Sequence, residues 1–283
     1  MLALFNEEQQ MFESTAKRLA QSIGINNPHD LNTTSRERSW QMITEVGLLG
    51  LRMRDNNQPL ASGIEVMIAA QALAEKLVPL PFVAGLLAAE LLALAKAPDE
   101  LIEELAAGET RYALLLDREL EQLSSPDNPD CLAWDSEDAH YALGLSGNRL
   151  VRVSLAQGFT KANQAADLTR TIQRRDSALA ASETIGEALS DEALKRWHAL
   201  ALTTFAADIA GTIKGAFTGA VAYTKERVQY GVLIGTFQAI QHLCAEMLVQ
   251  VEAAQSVNCY AAWAVDQLDA DEALLAARTA KAY

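Results

Sequence analysis

The side chains of this 283-residue chain best suited to chemistry lie together in Arg227-Val228-Gln229-Tyr230-Gly231, followed closely by Ile234, Phe237, Gln238 and Ile240. A guanidinium, two amides and two aromatic rings around a glycine can grip a ligand. Taken alone, the same residues also read as a surface arginine, a loop glycine and part of an apolar core stripe. Groups for acid–base or nucleophilic work are scattered elsewhere. His29 lies in a polar loop, His140 starts a strand, and His242 sits at helical spacing beside the core. None has a Ser or Cys partner that makes a triad, and none pairs at metal-ligand spacing. Asp208 is a candidate base because it immediately precedes Ile209, the first residue of an apolar helical stripe. A carboxylate on the solvated side of a helix is the commoner explanation. No catalytic or metal-binding residue is assigned.

These side chains must be positioned by helices. Apolar residues recur at helical period from Glu7 to about Ile23, from Trp40 to Leu49, from Ile64 to Leu77 and from Phe82 to Ala95, with an acidic helix from Asp99 to Ala107. Residues 1–108 therefore read as an all-helical domain. At Gly108 the period changes. Tyr112-Ala-Leu-Leu-Leu-Asp117, Cys131-Leu-Ala-Trp134, His140 to Leu145 and Arg149 to Leu155 read as strands, with Ser146-Gly147-Asn148 as a hairpin turn. Residues 109–188 form a small β domain in this reading. Helical period returns over 189–283, with one helix reaching Tyr230, a second spanning Thr236 to Leu268 and a third opening at Asp271. The expected fold is mostly α, with a middle β domain and a C-terminal antiparallel helix bundle. The last helix reaches Tyr283 without a stop signal, so the bundle is expected to be incomplete. Long helices with broad apolar stripes suit an oligomer.

Bulk properties narrow the partners. The balance of 23 basic against 37 acidic residues gives a net charge of −14, which disfavours nucleic acid and anionic membrane surfaces. The acids clustered between Asp99 and Asp138 read as a solvated face. No uncharged apolar run reaches the length of a membrane span. Cys131, Cys244 and Cys259 form no CxxC, and the N-terminus turns polar after five residues, so a reducing cytoplasm is the expected compartment.

Several of these segments together resemble the acyl-CoA dehydrogenase family over nearly the whole chain. Phe5-Asn-Glu-Glu-Gln-Gln resembles its opening helix, and Trp40 through Gly47-Leu-Leu-Gly50-Leu resembles its Trp…Gly-Leu-Leu-Gly-Leu element. Ala74-Glu-Lys-Leu-Val-Pro-Leu-Pro81-Phe, Gly108-Glu-Thr-Arg-Tyr-Ala and Asp167-Leu-Thr-Arg170 are similar to further family segments. Arg227-Val-Gln-Tyr-Gly231 with Phe237-Gln238 is the strongest match. The resemblance implies that this loop and the following helix grip the FAD held by a neighbouring subunit. Arg227 would meet the pyrophosphate, where a fixed cationic fork suits two phosphates. Gln229 and Gly231 would let the loop approach and hydrogen-bond the cofactor. Tyr230, Ile234, Phe237 and Ile240 would line the adenine and ribose side, with Gln238 as a polar partner.

The family's other functional elements are missing. Its Thr-Glu-Pro…Gly-Ser-Asp stretch, which contacts flavin and substrate, corresponds here to Leu115-Leu-Asp-Arg-Glu119 and Leu120-Glu-Gln-Leu-Ser-Ser, which offer no substitute donors. The aromatic-Ile-Thr segment that packs on the flavin ring is not recognisable. The family chemistry removes a proton α to a thioester while hydride leaves the β carbon, and it needs a positioned carboxylate. One family position for that Glu falls at Ala201, and the other lies beyond Tyr283. A family arginine that often holds substrate aligns with Leu202, while Arg196 and His198 lie nearby without a spacing argument. The first expectation is therefore a FAD-gripping, base-lacking subunit of a heteromeric acyl-CoA dehydrogenase, in fatty acid or steroid side-chain catabolism, with acyl-CoA bound by a partner. The alternatives are an active homo-oligomeric enzyme whose C-terminal part is missing from this sequence, and a flavin-free helical interaction protein.

Overall fold

A computed structural model describes residues 5–25, 27–32, 35–162, 167–176 and 182–283. The N-terminal reading at Met1–Leu4 falls outside them. Helices α1 (Glu7–Ile23) and α2 (Arg36–Glu45) come first, followed by a two-strand ribbon of β1 (Arg54–Asp55) and β2 (Gln58–Pro59). Then come α3 (Gly63–Glu75), α4 (Phe82–Leu94) and α5 (Asp99–Ala106). Their starts are written locally. Asn6 and Ser62 each close a capping box, with Gln9 and Glu65 reaching back to the cap backbone. Pro81 and Pro98 precede α4 and α5. Helix α4 is apolar all round apart from Glu90 and lies buried along most of its length, at the centre of the core.

The chain then forms β3 (Tyr112–Leu116), β4 (Leu132–Trp134), β5 (Tyr141–Ser146), β6 (Arg149–Ser154), β7 (Phe159–Lys161), β8 (Ile172–Arg175) and β9 (Glu183–Ala188). These make one sheet in the order β7-β8-β4-β3-β5-β6-β9, with β3 and β5 parallel and every other pair antiparallel. Strand β3 is apolar at all five positions because both of its faces are covered. Tyr112, Leu114 and Leu116 join the large helical core, while Ala113 and Leu115 join a smaller cluster with Cys131, Ala133 and Val153. The hairpin between β5 and β6 turns at Gly147, with Ser146 opposite Arg149.

Three helices follow: α6 (Asp191–Thr224), α7 (Gln238–Gln267) and α8 (Ala270–Ala282). Arg196, near the start of α6, donates to the carbonyls of Val265 and Leu268 at the end of α7, so the two helices run antiparallel. Helix α6 crosses α3 at close range. A Cβ on Gly211 would lie 2.3 Å from the Gln71 carbonyl oxygen, and one on Gly215 would lie 2.5 Å from that of Glu75. Among the described residues no helix is long and apolar enough to cross a membrane.

Two sequence expectations need correction here. Helix α6 stops at Thr224, short of Tyr230, and Val228 belongs to a strand instead of the helical stripe. The acidic stretch is not uniformly solvated, because Asp135 is fully buried and capped onto α4 by the Ala84 N–H at 3.1 Å.

The helical layers are joined by a buried ionic cluster. Arg52 lies on the turn after α2, and its Nε meets Glu90 of α4 at 3.1 Å. Its Nη1 meets Asp266 of α7 at 3.2 Å and the Ala61 carbonyl at 3.0 Å. Arg54 adds a 2.8 Å contact to Glu90, and Asp266 accepts the Gly63 N–H at the start of α3 at 2.6 Å. Burial works against the Arg52 charge, but Glu90 and Asp266 outweigh it and its pKa is raised. Changing Arg52 to Ala leaves Asp266 without its cation and Glu90 with Arg54 alone, and should cost about 3–5 kcal/mol in urea denaturation. Changing Lys195 to Ala, whose ion pair with Asp271 lies at the surface, should cost far less. Equal losses in the two variants would remove the cluster from its joining role.

Candidate functional site

Helix α6 has 34 residues, a length of roughly 50 Å, and it outruns the core it packs against. Its buried positions, among them Trp197, Leu200, Ala201 and Ala207, end at Gly211. Beyond that point the last turns of α6 and the first turns of α7 form a two-helix arm. The arm leaves Ile213, Tyr223, Leu243, Met247, Leu248 and Val249 exposed. The expected apolar stripe is real, but its outer half faces outward instead of filling this chain's core.

The arm ends in a small β-hairpin, with β10 (Val228–Gln229) antiparallel to β11 (Val232–Leu233). Tyr230 and Gly231 make its two-residue turn, with φ of +51° and +80°. No atom would obstruct a Cβ on Gly231, so the backbone conformation and not space demands glycine there. A single 3₁₀ turn, Ile234–Thr236, then leads into α7. The Ile234 N–H donates to the Arg227 carbonyl at 2.8 Å and the Phe237 N–H to the Ile234 carbonyl at 3.1 Å, which ties the hairpin to α7. Tyr230 and Phe237 meet edge-on with ring centroids 6.4 Å apart. The tip thus brings together Arg227, Gln229, Tyr230, Gly231, Phe237 and Gln238 at the surface, with Ile234 and Ile240 half-buried behind them. Tyr230 is 94% exposed. Arg227 has no carboxylate within ion-pairing distance among the described residues.

A second feature lies at the other end of α6. A cleft of about 590 Å³ opens between that helix, the turn after β3 and α8. His198, Leu202, Phe205, Asp208 and Ile209 line it along one helical face, opposite Leu116, Trp134 and residues 119–122. Trp134 of β4 and Phe205 of α6 touch edge-on at 5.0 Å, so sheet and helix meet directly there. The turn beyond β3 is closed on itself. The Asp117 carboxylate accepts the Glu121 and Gln122 N–H groups, the Leu120 N–H bonds the Asp117 carbonyl, and the Ser124 N–H bonds the Leu115 carbonyl. Those backbone donors are therefore committed within the turn.

The candidate acid–base groups can now be placed. Ala201 is 2% exposed and packs in the core, while its neighbour Leu202 faces the cleft. Arg196 is taken up by α7 carbonyls and Glu192. His198 does line the cleft; burial, helped by the Arg278 cation, pushes its pKa down. Asp208 also lines it, but its carboxylate is held by Arg170 at 2.6 Å. Arg170 in turn bonds the Leu80 carbonyl at 3.1 Å and lies 3.9 Å from Asp135. Burial raises the Asp208 pKa against the opposing Arg170 charge. Asp208 thus has a structural task joining α6 to the sheet. Sequence reading misses Arg170 as its partner; the charged Asp167-Leu-Thr-Arg170 segment is the available signal. Among the described residues no three His, Cys, Asp or Glu side chains gather to hold a metal ion.

Comparison with known proteins locates this architecture. Residues 201–283 match the family model described as "Acyl-CoA dehydrogenase, C-terminal domain". The chain is 29% identical over 282 residues to "Acyl-CoA dehydrogenase IpdE2" of Mycobacterium tuberculosis, covering 97% of this chain and 81% of the relative. Other curated relatives match over short stretches, and the chain spans 12–13% of their length. In fold it is similar to the ChsE4-ChsE5 complex from Mycobacterium tuberculosis, with a TM-score of 0.75 and 18% identity over 98% of this chain and 83% of that one. It is also similar to the structure described as PigA with FAD and proline, with a TM-score of 0.73 and 16% identity over 99% and 85% of the two chains.

The ion cluster beside the cleft sets a pH dependence. Burial pushes Asp135 up to about 6, against the Arg170 charge and the Ala84 N–H. A carboxyl whose pKa is raised by folding favours the folded state at low pH and loses that contribution as pH rises through the folded value. Between pH 7 and pH 5 the native chain should therefore gain about 1 kcal/mol relative to an Asp135→Asn variant. The comparison is urea denaturation of both proteins at each pH. A constant difference across that interval would contradict the assignment.

Proposed function

We propose, from the premise that this chain is a member of the acyl-CoA dehydrogenase family, that it serves as the FAD-gripping, base-lacking subunit of a heteromeric enzyme. The enzyme would dehydrogenate an acyl-CoA thioester between its α and β carbons, within fatty acid or steroid side-chain breakdown. The carrying observation is the contrast between the two ends of α6. At the tip, among the described residues, Arg227 stands without a carboxylate beside an exposed aromatic ring, on an arm whose apolar face has no partner. At the cleft, the turn after β3 spends the N–H groups of Leu120, Glu121, Gln122 and Ser124 internally, and the position aligned with a family base is a core alanine.

The tip residues fit a dinucleotide. Arg227 would hold the pyrophosphate, Gln229 and Gln238 would supply amide contacts, and Tyr230, Ile234, Phe237 and Ile240 would give apolar lining. When bound, FAD supplies the acceptor for the hydride that leaves the substrate. Gly231 sets the turn that presents these groups. The carboxylate that removes the α proton, and most of the acyl-CoA contacts, would come from the partner chain. Naming among similar proteins agrees with this division: the ChsE4-ChsE5 structure is by its description a complex of two components, and PigA is described with FAD.

The test is to purify the chain alone and together with a full-length acyl-CoA dehydrogenase homologue as candidate partner. Alone, it should be colourless and without acyl-CoA turnover; the complex should be yellow and active. Stoichiometric FAD and turnover in the isolated chain would sink the proposal. Within the complex, Arg227→Ala should weaken FAD retention by roughly 10- to 150-fold, the value of one charged hydrogen-bonded contact of about 1.5–3 kcal/mol. Unchanged retention would remove Arg227 from the grip.

A further inference from the structure

Away from both the arm and the cleft, on the far side of the 117–122 turn, a second concavity of about 350 Å³ gathers three arginines. It is lined by Arg118, Arg174 and Arg175, with Pro129, Asp130, Cys131 and Leu132. Arg118 is presented by the turn that follows β3, closed by the Leu120 N–H on the Asp117 carbonyl. Arg174 stands on β8 opposite Leu132 of β4. Arg175 is anchored, its guanidinium donating to the carbonyls of Pro126 at 2.8 Å and Asn128 at 3.1 Å. These two bonds fix the 126–130 turn as the pocket wall. Arg118 and Arg174 are exposed, and their guanidiniums have no hydrogen-bond or ion-pair partner among the described residues.

The charge balance of the chain makes this convergence informative. It carries 37 acidic against 23 basic side chains, yet only Asp130 among the pocket residues is acidic. Arg174 and Arg175 are successive residues of β8 and leave opposite faces of the sheet, so it is the two unpaired guanidiniums of Arg118 and Arg174 that give the concavity a local positive potential on an otherwise acidic molecule. The donors are planar forks, whose geometry matches the oxygens of a phosphate or pyrophosphate. Burial holds the Cys131 thiol in its neutral form, so no thiolate competes for the arginines. We infer that Arg118 and Arg174, steadied by Arg175, form a binding site for a phosphate-bearing anion. The phosphates could belong to a free ligand or to the nucleotide end of coenzyme A, and this site stands whether or not the arm grips FAD.

Titration calorimetry of the full chain at low ionic strength, with inorganic pyrophosphate and separately with coenzyme A, tests the site. Saturable pyrophosphate binding is expected, weakened at least tenfold in Arg118→Ala/Arg174→Ala and unchanged in Arg149→Ala, which removes an exposed arginine elsewhere on the sheet. Arg118→Lys/Arg174→Lys should retain part of the affinity, because it keeps the charges without the forks. Far-UV circular dichroism of the variants checks that each is folded. Coenzyme A binding that also falls in the double alanine variant places its phosphates here. Binding of pyrophosphate alone points to a free phosphate ligand. Absence of saturable pyrophosphate binding, or full affinity in a folded double alanine variant, overturns the inference.

Discussion

The structure depends most on one guanidinium. Arg52 lies on a turn between the first and second layers of helices, and its partners come from α4 and α7, while Asp266 also caps the start of α3. Such a cluster gains little over a well-packed apolar core, since desolvating the ions consumes most of the attraction. What it supplies is direction. Apolar helices rich in alanine and leucine can slide or rotate against each other at small cost, whereas a buried charge has one acceptable set of neighbours. Asp266 lies at the end of α7 remote from the hairpin of the arm. Fixing that end of α7 fixes the axis along which the arm projects. The reciprocal amide pair between Gln71 of α3 and Gln255 of α7, at 2.6 and 3.1 Å, sets the same helix a little closer to the arm.

The sequence makes some of this visible and hides the rest for physical reasons. Helices α1, α3, α4 and α5 declare themselves because each has apolar period, a capping residue or a proline at its border. Strands β3, β5 and β6 are legible as short apolar runs around a turn. Strands β7, β8 and β9 are not: Phe-Thr-Lys, Ile-Gln-Arg-Arg and Glu-Thr-Ile-Gly-Glu-Ala lie at sheet margins, where backbone pairing and not apolar patterning defines the strand. The hairpin at the arm's tip is concealed by Val228, which continues the helical apolar period by coincidence. The positive φ of Tyr230 and Gly231 ends that continuity. Asp135 and Glu90 are hidden differently. Each looks like a surface acid, and only a partner distant in sequence, Arg170 or Arg52, makes its burial tolerable.

The two ends of α6 then acquire opposite physical characters from one helix. From Ser190 as far as Gly215, the Trp134–Phe205 pair, the Asp208–Arg170 bond and glycine-mediated contact with α3 press it against the rest of the chain. Its charged groups there are largely matched from within. On its outward side the same helix carries Ile213, Phe217 and Val221, alongside Leu243 and Met247 of α7, and among the described residues nothing covers the exposed members. An apolar surface of this extent facing water is costly unless another molecule shields it. The hairpin at its end is held by short backbone bonds and a glycine conformation, so its arginine and tyrosine are presented at little further loss of conformational freedom. A chain built this way ties the core end of α6 down through Asp208 and Arg170 and leaves the apolar face of its arm uncovered among the described residues. That asymmetry is the physical ground for the proposal that the arm meets a neighbouring subunit.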